Sequence, residues 1–162
     1  SVFHIVNIYF LILIIVHNIC FYVAQPIFFI IFTMMDTHTP IRIFAVEDDP
    51  IYTKFLTYVF DLNPEFEVEF FSDGKSCLDA LHKLPNIVSL DYSLPDMSGD
   101  EVLKAIKEAD PNIQVIIVSG QEDISTAVDL LKLGAYDYIA KNDDTKDRLL
   151  LTIQNAYSFA TA

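Results

Sequence analysis

From Ile41 onward, short apolar runs alternate with longer amphipathic stretches, and this alternation restricts the possible fold more than any other feature of the chain. Such a pattern indicates strand–helix units that lie on a parallel sheet. Five apolar runs are bounded by Asp, Asn, Gly, Pro and Ser, the residues that favour turns and helix starts. The predicted strands are residues 41–46, 67–71, 87–90, 115–118 and 136–140.

Capping residues place helices after these strands. Pro50 suits the first turn of a helix with Asp49 as its cap, and Ser98 with Glu101 forms a capping box. A last helix is predicted over about 144–157. The apolar side chains that mark the first four helices by their helical spacing are Ile51, Tyr52, Phe55, Leu56 and Val59; Cys77, Leu78, Leu81 and Leu84; Val102, Leu103 and Ile106; and Ile124, Ala127, Val128 and Leu131, with Cys77 expected in the core.

Five such units form one doubly wound α/β domain, in which helices cover both faces of a five-stranded parallel sheet. Right-handed crossovers and a single point where the winding reverses favour the strand order 2-1-3-4-5. The predicted fold class is therefore a flavodoxin-like three-layer sandwich.

Residues 1–35 differ from the rest because they contain no Lys, Arg, Asp or Glu. The segment is long enough for a membrane-spanning helix, which needs about 20 mainly apolar residues. However, no Lys or Arg lies beside it to set an orientation. Its Ile, Phe, Tyr and Asn content also fits translated AT-rich upstream DNA, with Met35 as the true start. Two interpretations of residues 1–35 therefore stand, a membrane anchor or upstream sequence, and residues 36–162 form the predicted domain.

All of the charged side chains, with a net formal charge of −13, lie from Asp36 onward. This excess argues against nucleic acid as a direct partner, because phosphate binding needs a basic surface. Cys20 and Cys77 form neither a metal-binding spacing nor a disulfide framework, so a reducing cytoplasm is the simpler assumption. We expect a cytoplasmic protein, attached to a membrane only if residues 1–35 are a real anchor.

Polar side chains follow four of the predicted strands at the point where each strand ends. Glu47 and Asp48 follow the first strand, Asp91 the third, Ser119 the fourth and Lys141 the fifth. Ligands of doubly wound sheets bind at this edge, so the fold would gather these side chains there. Three carboxylates would repel one another unless a cation joined them, and their hard oxygens suit Mg²⁺ or Mn²⁺. With Lys141 and Ser119 to hold a phosphoryl group, Asp91 can act as its nucleophile.

Four segments at these strand ends resemble the receiver domains of bacterial response regulators, the chemotaxis-regulator-like domains of two-component signalling. The resemblance covers about residues 41–157 and depends on all four segments occurring in order. They are residues 46–50 (Val-Glu-Asp-Asp-Pro), 90–99 (Leu-Asp-Tyr-Ser-Leu-Pro-Asp-Met-Ser-Gly), 117–120 (Ile-Val-Ser-Gly) and 134–141 (Gly-Ala-Tyr-Asp-Tyr-Ile-Ala-Lys).

The resemblance implies a phosphoacceptor and a metal site. Asp91 would take the phosphoryl group and, with Asp48, would bind the magnesium ion directly. Glu47 would bind the ion through water, and the backbone carbonyl of Ser93 would be a further ligand. The side chains of Ser93 and Gln121 stand at positions that tune the rate at which the phosphoryl group is hydrolysed.

The resemblance also implies a phosphoryl-binding and switch set. Lys141 would pair with a phosphoryl oxygen, and Ser119, followed by Gly120, would hydrogen-bond to it. Tyr138 would be the aromatic side chain that turns inward together with Ser119.

These features imply a phosphoprotein rather than an enzyme. The donor would be a histidine kinase or a histidine phosphotransfer protein. The predicted domain uses nearly all of residues 36–162, so we expect a single-domain regulator. Its output would be a contact with a downstream protein through the fourth helix, fifth strand and fifth helix.

The chain departs from the family after Lys141. Receivers usually place there a proline with a cis peptide bond, whereas this chain has Asn142. A cis bond before a residue other than proline costs about 2.5–4 kcal/mol. We therefore expect a trans Lys141–Asn142 bond and a rebuilt loop after it.

Three other functions are compatible with a fold of this class. A degenerate receiver would keep the fold as an interaction module without being phosphorylated. A phosphohydrolase with an aspartyl nucleophile is an enzymatic alternative, but the sequence offers no cap domain to enclose a substrate. A flavodoxin-like mononucleotide binder needs a phosphate loop after the first strand, and the acidic residues 47–49 oppose an anion there.

Overall fold

The computed structural model of the protein describes residues 39–121 and 123–161. Within them strands and α-helices alternate along the chain, as the sequence predicts. The strands are β1 (Ile41–Val46), β2 (Phe66–Phe71), β3 (Ile87–Leu90), β4 (Gln114–Ser119) and β5 (Asp137–Ala140). The helices are α1 (Pro50–Phe60), α2 (Gly74–Asp79), α3 (Gly99–Ala109), α4 (Ile124–Lys132) and α5 (Thr145–Thr161), with one 3₁₀ turn (Leu81–Lys83) after α2.

The strands form one parallel sheet in the order β2-β1-β3-β4-β5, which confirms the predicted topology. The connection from β1 leads outward to β2, and the connection from β2 returns past β1 to β3. The winding therefore reverses between β1 and β3. In doubly wound sheets this reversal opens a crevice at the carboxyl ends of the strands, where ligands bind.

Two apolar layers, one on each face of the sheet, hold the helices in place. One layer joins alternate strand residues such as Val88 and Ile117 to α2 and α3. The other joins residues such as Ile87 and Ile116 to α1 and α5. Because successive residues of a strand point to opposite faces, β3 and β4 supply both layers and are buried on both sides.

Predicted helix signals recur in the structure. Asp49 caps α1 by accepting the Ile51 N–H at 2.7 Å. The Ser98 N–H and hydroxyl both donate to Glu101 at 2.9 Å at the start of α3. Cys77 is fully buried, and burial raises the pKa of its thiol to about 12, so its interpretation as a core residue is confirmed.

Five of the apolar side chains at helical spacing are exposed rather than buried. They are Ile51, Leu84, Ile124, Val128 and Leu131. Leu84 has a left-handed backbone with φ 55°, which ends the 3₁₀ turn and directs the chain into the next loop. The apolar stripe of α4 faces outward, and Leu130 is the residue of that helix that is buried. Helical periodicity identifies an apolar stripe but not whether a neighbouring element covers it.

The sequence predictions for residues 1–35, a membrane anchor or upstream sequence, lie outside the described residues. Among residues 39–121 and 123–161, no helix has the length and apolar character that crossing a membrane requires.

Candidate functional site

Three predicted site residues stand directly after the ends of strands, where backbone hydrogen bonds fix them. The Glu47 N–H donates to the carbonyl of Phe71 at 2.9 Å. The Asp91 N–H donates to the carbonyl of Val46 at 2.9 Å. The Lys141 N–H donates to the Ser119 carbonyl at 2.8 Å. The sheet ladder therefore brings side chains from three strands to one edge.

Glu47, Asp48 and Asp91 form an acidic cluster at this edge. One carboxylate oxygen of each lies within 4.8 Å of the others. Glu47 and Asp91 are buried, whereas Asp48 is exposed. The cluster thus opens to solvent on the side of Asp48, the side from which a small ligand can enter.

The ammonium group of Lys141 lies between two of these carboxylates. It donates to Glu47 Oε2 at 2.7 Å and to Asp91 Oδ2 at 3.0 Å. The side chain of Lys141 is only 17% exposed, so both ion pairs are largely shielded from water. Removing one member of a buried ion pair by substitution lowers stability, because the other charge is then left buried without a partner.

Burial and neighbouring charges together raise the pKa values of Glu47 and Lys141. Burial raises the pKa of Glu47, and the negative charge of Asp91 raises it further. The hydrogen bond from Lys141 lowers this pKa but does not cancel the rise. Burial by itself would lower the pKa of Lys141, but its hydrogen bond to Glu47 and the charge of Asp91 raise it. The site is therefore short of positive charge.

The donor set fits a small divalent cation. Three carboxylates lie together here and the ammonium group of Lys141 pairs with only two of them, which leaves negative charge uncompensated. Their oxygens are hard ligands, and Mg²⁺ typically binds one or two carboxylates while keeping several waters. The exposed carboxylate of Asp48 and the buried one of Asp91 are compatible with such a partly hydrated ion.

The predicted switch residues lie around the ends of β4 and β5. Ser119 is fully buried, and its Oγ accepts the Gln121 N–H at 3.1 Å. The Tyr138 hydroxyl donates to the Gln121 carbonyl at 2.5 Å. Gly120 has open space where a side chain would project. The hydrogen bonds of the Ser119 and Tyr138 hydroxyls thus both go to the backbone of Gln121, and not to the acidic cluster.

Ser93 lies in the loop that joins β3 to α3, next to Asp91. Its side chain is exposed, and its N–H donates to Asp91 Oδ1 at 3.4 Å. The loop closes on itself because the Gly99 N–H donates to the Tyr92 carbonyl at 2.9 Å. A Cβ atom at Gly99 would meet Tyr92 Cα at 2.8 Å, so only glycine allows this close approach.

Two site contacts escape sequence analysis. Lys141 Nζ lies 4.1 Å from the centroid of the Tyr52 ring, whereas the sequence pattern indicates only that Tyr52 belongs to an apolar helix face. Asp96 accepts the N–H groups of Gly74 and Lys75 at 2.9 and 2.8 Å, and these bonds lower its pKa. The sequence marks Tyr52 as an aromatic residue in the helical turn after the acidic triplet but does not identify Lys141 as its partner, and it gives no sign of the Asp96 bonds.

The loop after β5 is built differently from a proline loop. The Lys141–Asn142 peptide bond is trans, as predicted. The N–H of Asn142 donates to Thr145 Oγ1 at 2.7 Å, and the Asp144 N–H donates to Asn142 Oδ1 at 3.0 Å. Asn142 therefore contributes a donor that proline lacks.

Comparison with known proteins identifies related chains. A family model, that of the response regulator receiver domain, matches residues 43–154. The luminescence regulatory protein LuxO of Vibrio campbellii is 33% identical over 96 residues, which cover 59% of this chain and 21% of LuxO. The transcriptional regulatory protein FixJ of Bradyrhizobium diazoefficiens is 33% identical over 116 residues, covering 71% of this chain and 56% of FixJ.

Solved structures of receiver domains are also similar to this chain. The signal receiver domain of a LuxO repressor protein from Vibrio parahaemolyticus superposes with a TM-score of 0.70 at 27% identity. That match covers 75% of this chain and 93% of the other. By contrast, the chain spans only about a fifth of the length of the V. campbellii LuxO protein.

Proposed function

The chain belongs to the response regulator receiver domain family of two-component systems, and on this premise we propose that it accepts a phosphoryl group on Asp91. The donor is a histidine kinase or a histidine phosphotransfer protein. The observation that carries the proposal is the position of Lys141, whose ammonium group lies 3.0 Å from Asp91 Oδ2 within the acidic cluster.

In the proposed reaction, a carboxylate oxygen of Asp91 attacks the phosphorus of a phosphohistidine. The phosphorus–nitrogen bond breaks, and its electron pair stays on the donor imidazole. That ring leaves neutral when its other nitrogen carries the proton. The product is an acyl phosphate on Asp91, and Lys141 lies where its charge can offset the developing charge on the phosphoryl oxygens.

We assign the metal site to Asp48 and Asp91, with Glu47 acting through water and the Ser93 backbone carbonyl as a further ligand. Mg²⁺ or Mn²⁺ bound there would supply positive charge against the phosphoryl oxygens. The uncompensated negative charge of the cluster supports this assignment. The exposed side chains of Ser93 and Gln121 are assigned to tuning hydrolysis of the acyl phosphate.

We assign the response to Ser119, Gly120 and Tyr138 at the ends of β4 and β5. A phosphoryl group near Ser119 would offer the hydroxyl hydrogen an acceptor, and movement of Oγ toward that group would break the bond that Oγ now accepts from the Gln121 N–H. The Tyr138 hydroxyl shares Gln121, so both bonds would change together. The added charge would thereby bias a surface formed by α4, β5 and α5 between two states.

The wider role is signal relay to a downstream protein through that surface. We assign the receiver to residues 36–162 and place it in the cytoplasm. Direct contact with nucleic acid is not part of the proposal, because the charge of this part of the chain is strongly negative.

Acetyl phosphate tests the proposal directly. With Mg²⁺ present, intact mass should show one added phosphoryl group, and the Asp91→Asn variant should show none because its amide lacks the nucleophilic oxygen anion. Asp79→Asn, at the end of α2, is the matched control and should be modified like the wild type. Equal labelling of Asp91→Asn would refute the assignment.

The same assay separates the alternatives. A degenerate receiver would show no label at any donor concentration. A phosphohydrolase would release phosphate from small phosphate esters with continuing turnover. Neither outcome is expected here.

A further inference from the structure

The ring of Tyr52 lies against the ammonium group of Lys141. The distance from Nζ to the ring centroid is 4.1 Å, well inside the range of about 6 Å for a cation–π contact. Tyr52 occupies the first turn of α1, directly after the acidic residues that follow β1. The ammonium therefore has two carboxylates and one aromatic ring as neighbours.

The ring is held firmly in this position. Tyr52 packs against Phe55 with ring centroids 5.2 Å apart, and both side chains contact the apolar layer beneath α1 and α5. Because Lys141 is only 17% exposed, water screens the contact weakly. Cation–π contacts gain strength when the cation is desolvated in this way.

The hydroxyl of Tyr52 does not explain its position. It is buried and has no hydrogen-bond partner among the described residues. The nearby hydroxyl of Thr145 is not a partner for it, because its hydrogen is directed to backbone carbonyls and it accepts the Asn142 N–H. A buried hydroxyl without a partner lowers stability. What Tyr52 contributes to the site is therefore the face of its ring.

We propose that Tyr52 is a positioning residue that keeps the Lys141 ammonium at the acidic cluster during phosphoryl transfer. The proposal rests on the function assigned above. The ion pairs of Lys141 use carboxylates that are also assigned to the metal and the phosphoryl group, so they weaken when those carboxylates are shared. The ring contact uses no carboxylate and persists, so the ammonium stays within reach of Asp91.

A double-mutant cycle in EDTA tests the contact itself, independently of phosphorylation. The variants of the full chain are Tyr52→Leu, Lys141→Met and their combination, studied by urea unfolding. Tyr52→Leu should lower the folding equilibrium constant about fivefold more in the wild type than in the Lys141→Met background. Equal losses in the two backgrounds would show that Tyr52 only packs, and would overturn the proposal.

Phosphorylation by acetyl phosphate with Mg²⁺ tests the role of the contact. Acetate leaves with the electron pair of the broken phosphorus–oxygen bond, and intact mass gives the rate. Tyr52→Leu should slow labelling about fivefold, whereas Tyr52→Phe, which keeps the ring, should recover most of the rate. Tyr58→Leu, an exposed tyrosine on the same helix, is the matched control and should leave the rate unchanged.

The outcomes separate this proposal from the function on which it rests. If the wild type is not labelled, the assigned function fails, and the stability cycle still decides whether the contact exists. If the wild type is labelled and Tyr52→Leu matches it, Tyr52 has no positioning role. Loss of rate in Tyr52→Phe equal to that in Tyr52→Leu would also overturn the proposal, because the ring would then be irrelevant.

Discussion

The backbone N–H of Asn142 donates to Thr145 Oγ1 at 2.7 Å, where the chain passes from β5 into α5. The same hydroxyl lies 2.7 Å from the Asn142 carbonyl and 3.1 Å from that of Ala140. Thr145 is fully buried, so these bonds form without competition from water. One hydroxyl thus organises a loop in which related receivers usually carry a cis proline.

Replacing Asn142 by proline should therefore destabilise this protein, although it restores the family pattern. Proline removes the N–H that Thr145 accepts, and the loss of one intramolecular hydrogen bond costs about 0.5–1.5 kcal/mol. Urea unfolding measures the loss. Asn142→Ala, which keeps the backbone donor, is the control and should lose less. A proline variant more stable than the wild type would contradict this account of the loop.

Magnesium should stabilise the fold, and Asp48 should be required for the effect. A ligand that binds the native state alone raises the melting temperature by mass action. Asp48→Asn should abolish this increase while raising stability in EDTA, because it removes one of three mutually repelling carboxylates. Thermal melts with and without the ion measure both effects. If magnesium raises the melting temperature of Asp48→Asn as much as that of the wild type, Asp48 is not a ligand of the ion.

The cap of α4 should add a pH-dependent contribution to stability. Asp123 accepts hydrogen bonds from Ser125 and Thr126, side chains included, and these lower its pKa from 3.8 to about 2. A carboxyl group whose pKa is lower in the folded than in the unfolded chain stabilises the fold when the pH is above the unfolded-state pKa. This contribution disappears as the pH falls from about 4 toward 2. Asp123→Asn should be less stable than the wild type at pH 7.

Urea unfolding at several pH values checks this expectation. The stability difference between the wild type and Asp123→Asn should be constant above pH 5 and should narrow as the pH falls below about 4. A difference that is independent of pH would mean that the carboxylate charge does not contribute to the cap.

Residues 1–34 should be dispensable for folding. All the strands of the described sheet and both apolar layers lie beyond residue 39, and β1 begins at Ile41. A chain that begins at Met35 should unfold in one cooperative transition, as circular dichroism and light scattering would show. Aggregation of that chain, where the full-length protein stays dispersed, would show that the segment packs against the domain.

The strands and the acidic cluster could be predicted because local chemistry determines them. The apolar run at 87–90 ends at an aspartate, and parallel pairing then brings Asp91 to the same edge as Glu47. The trans bond before Asn142 followed from the cost of its alternative. These predictions needed no knowledge of how the helices pack.

Features that depend on helix packing could not be predicted. Val128 and Leu131 share an apolar stripe, yet α4 turns Leu130 toward the sheet, and the rotation of a helix follows from its neighbours. The contact between Tyr52 and Lys141 joins residues that are far apart in the chain and on different elements. Periodicity marks such a ring as apolar but does not identify the cation that it meets.

The hydrogen bonds that Asp96 accepts at the start of α2 provide a way to follow the loop after β3 in solution. The amide protons of Gly74 and Lys75 are engaged only while the loop after β3 stays docked, since Asp96 belongs to that loop. Their hydrogen exchange therefore reports the position of a segment more than twenty positions away in the chain. The exchange rates of two native backbone amides thus report whether the loop beside Asp91 is docked, and no label has to be introduced near the carboxylates.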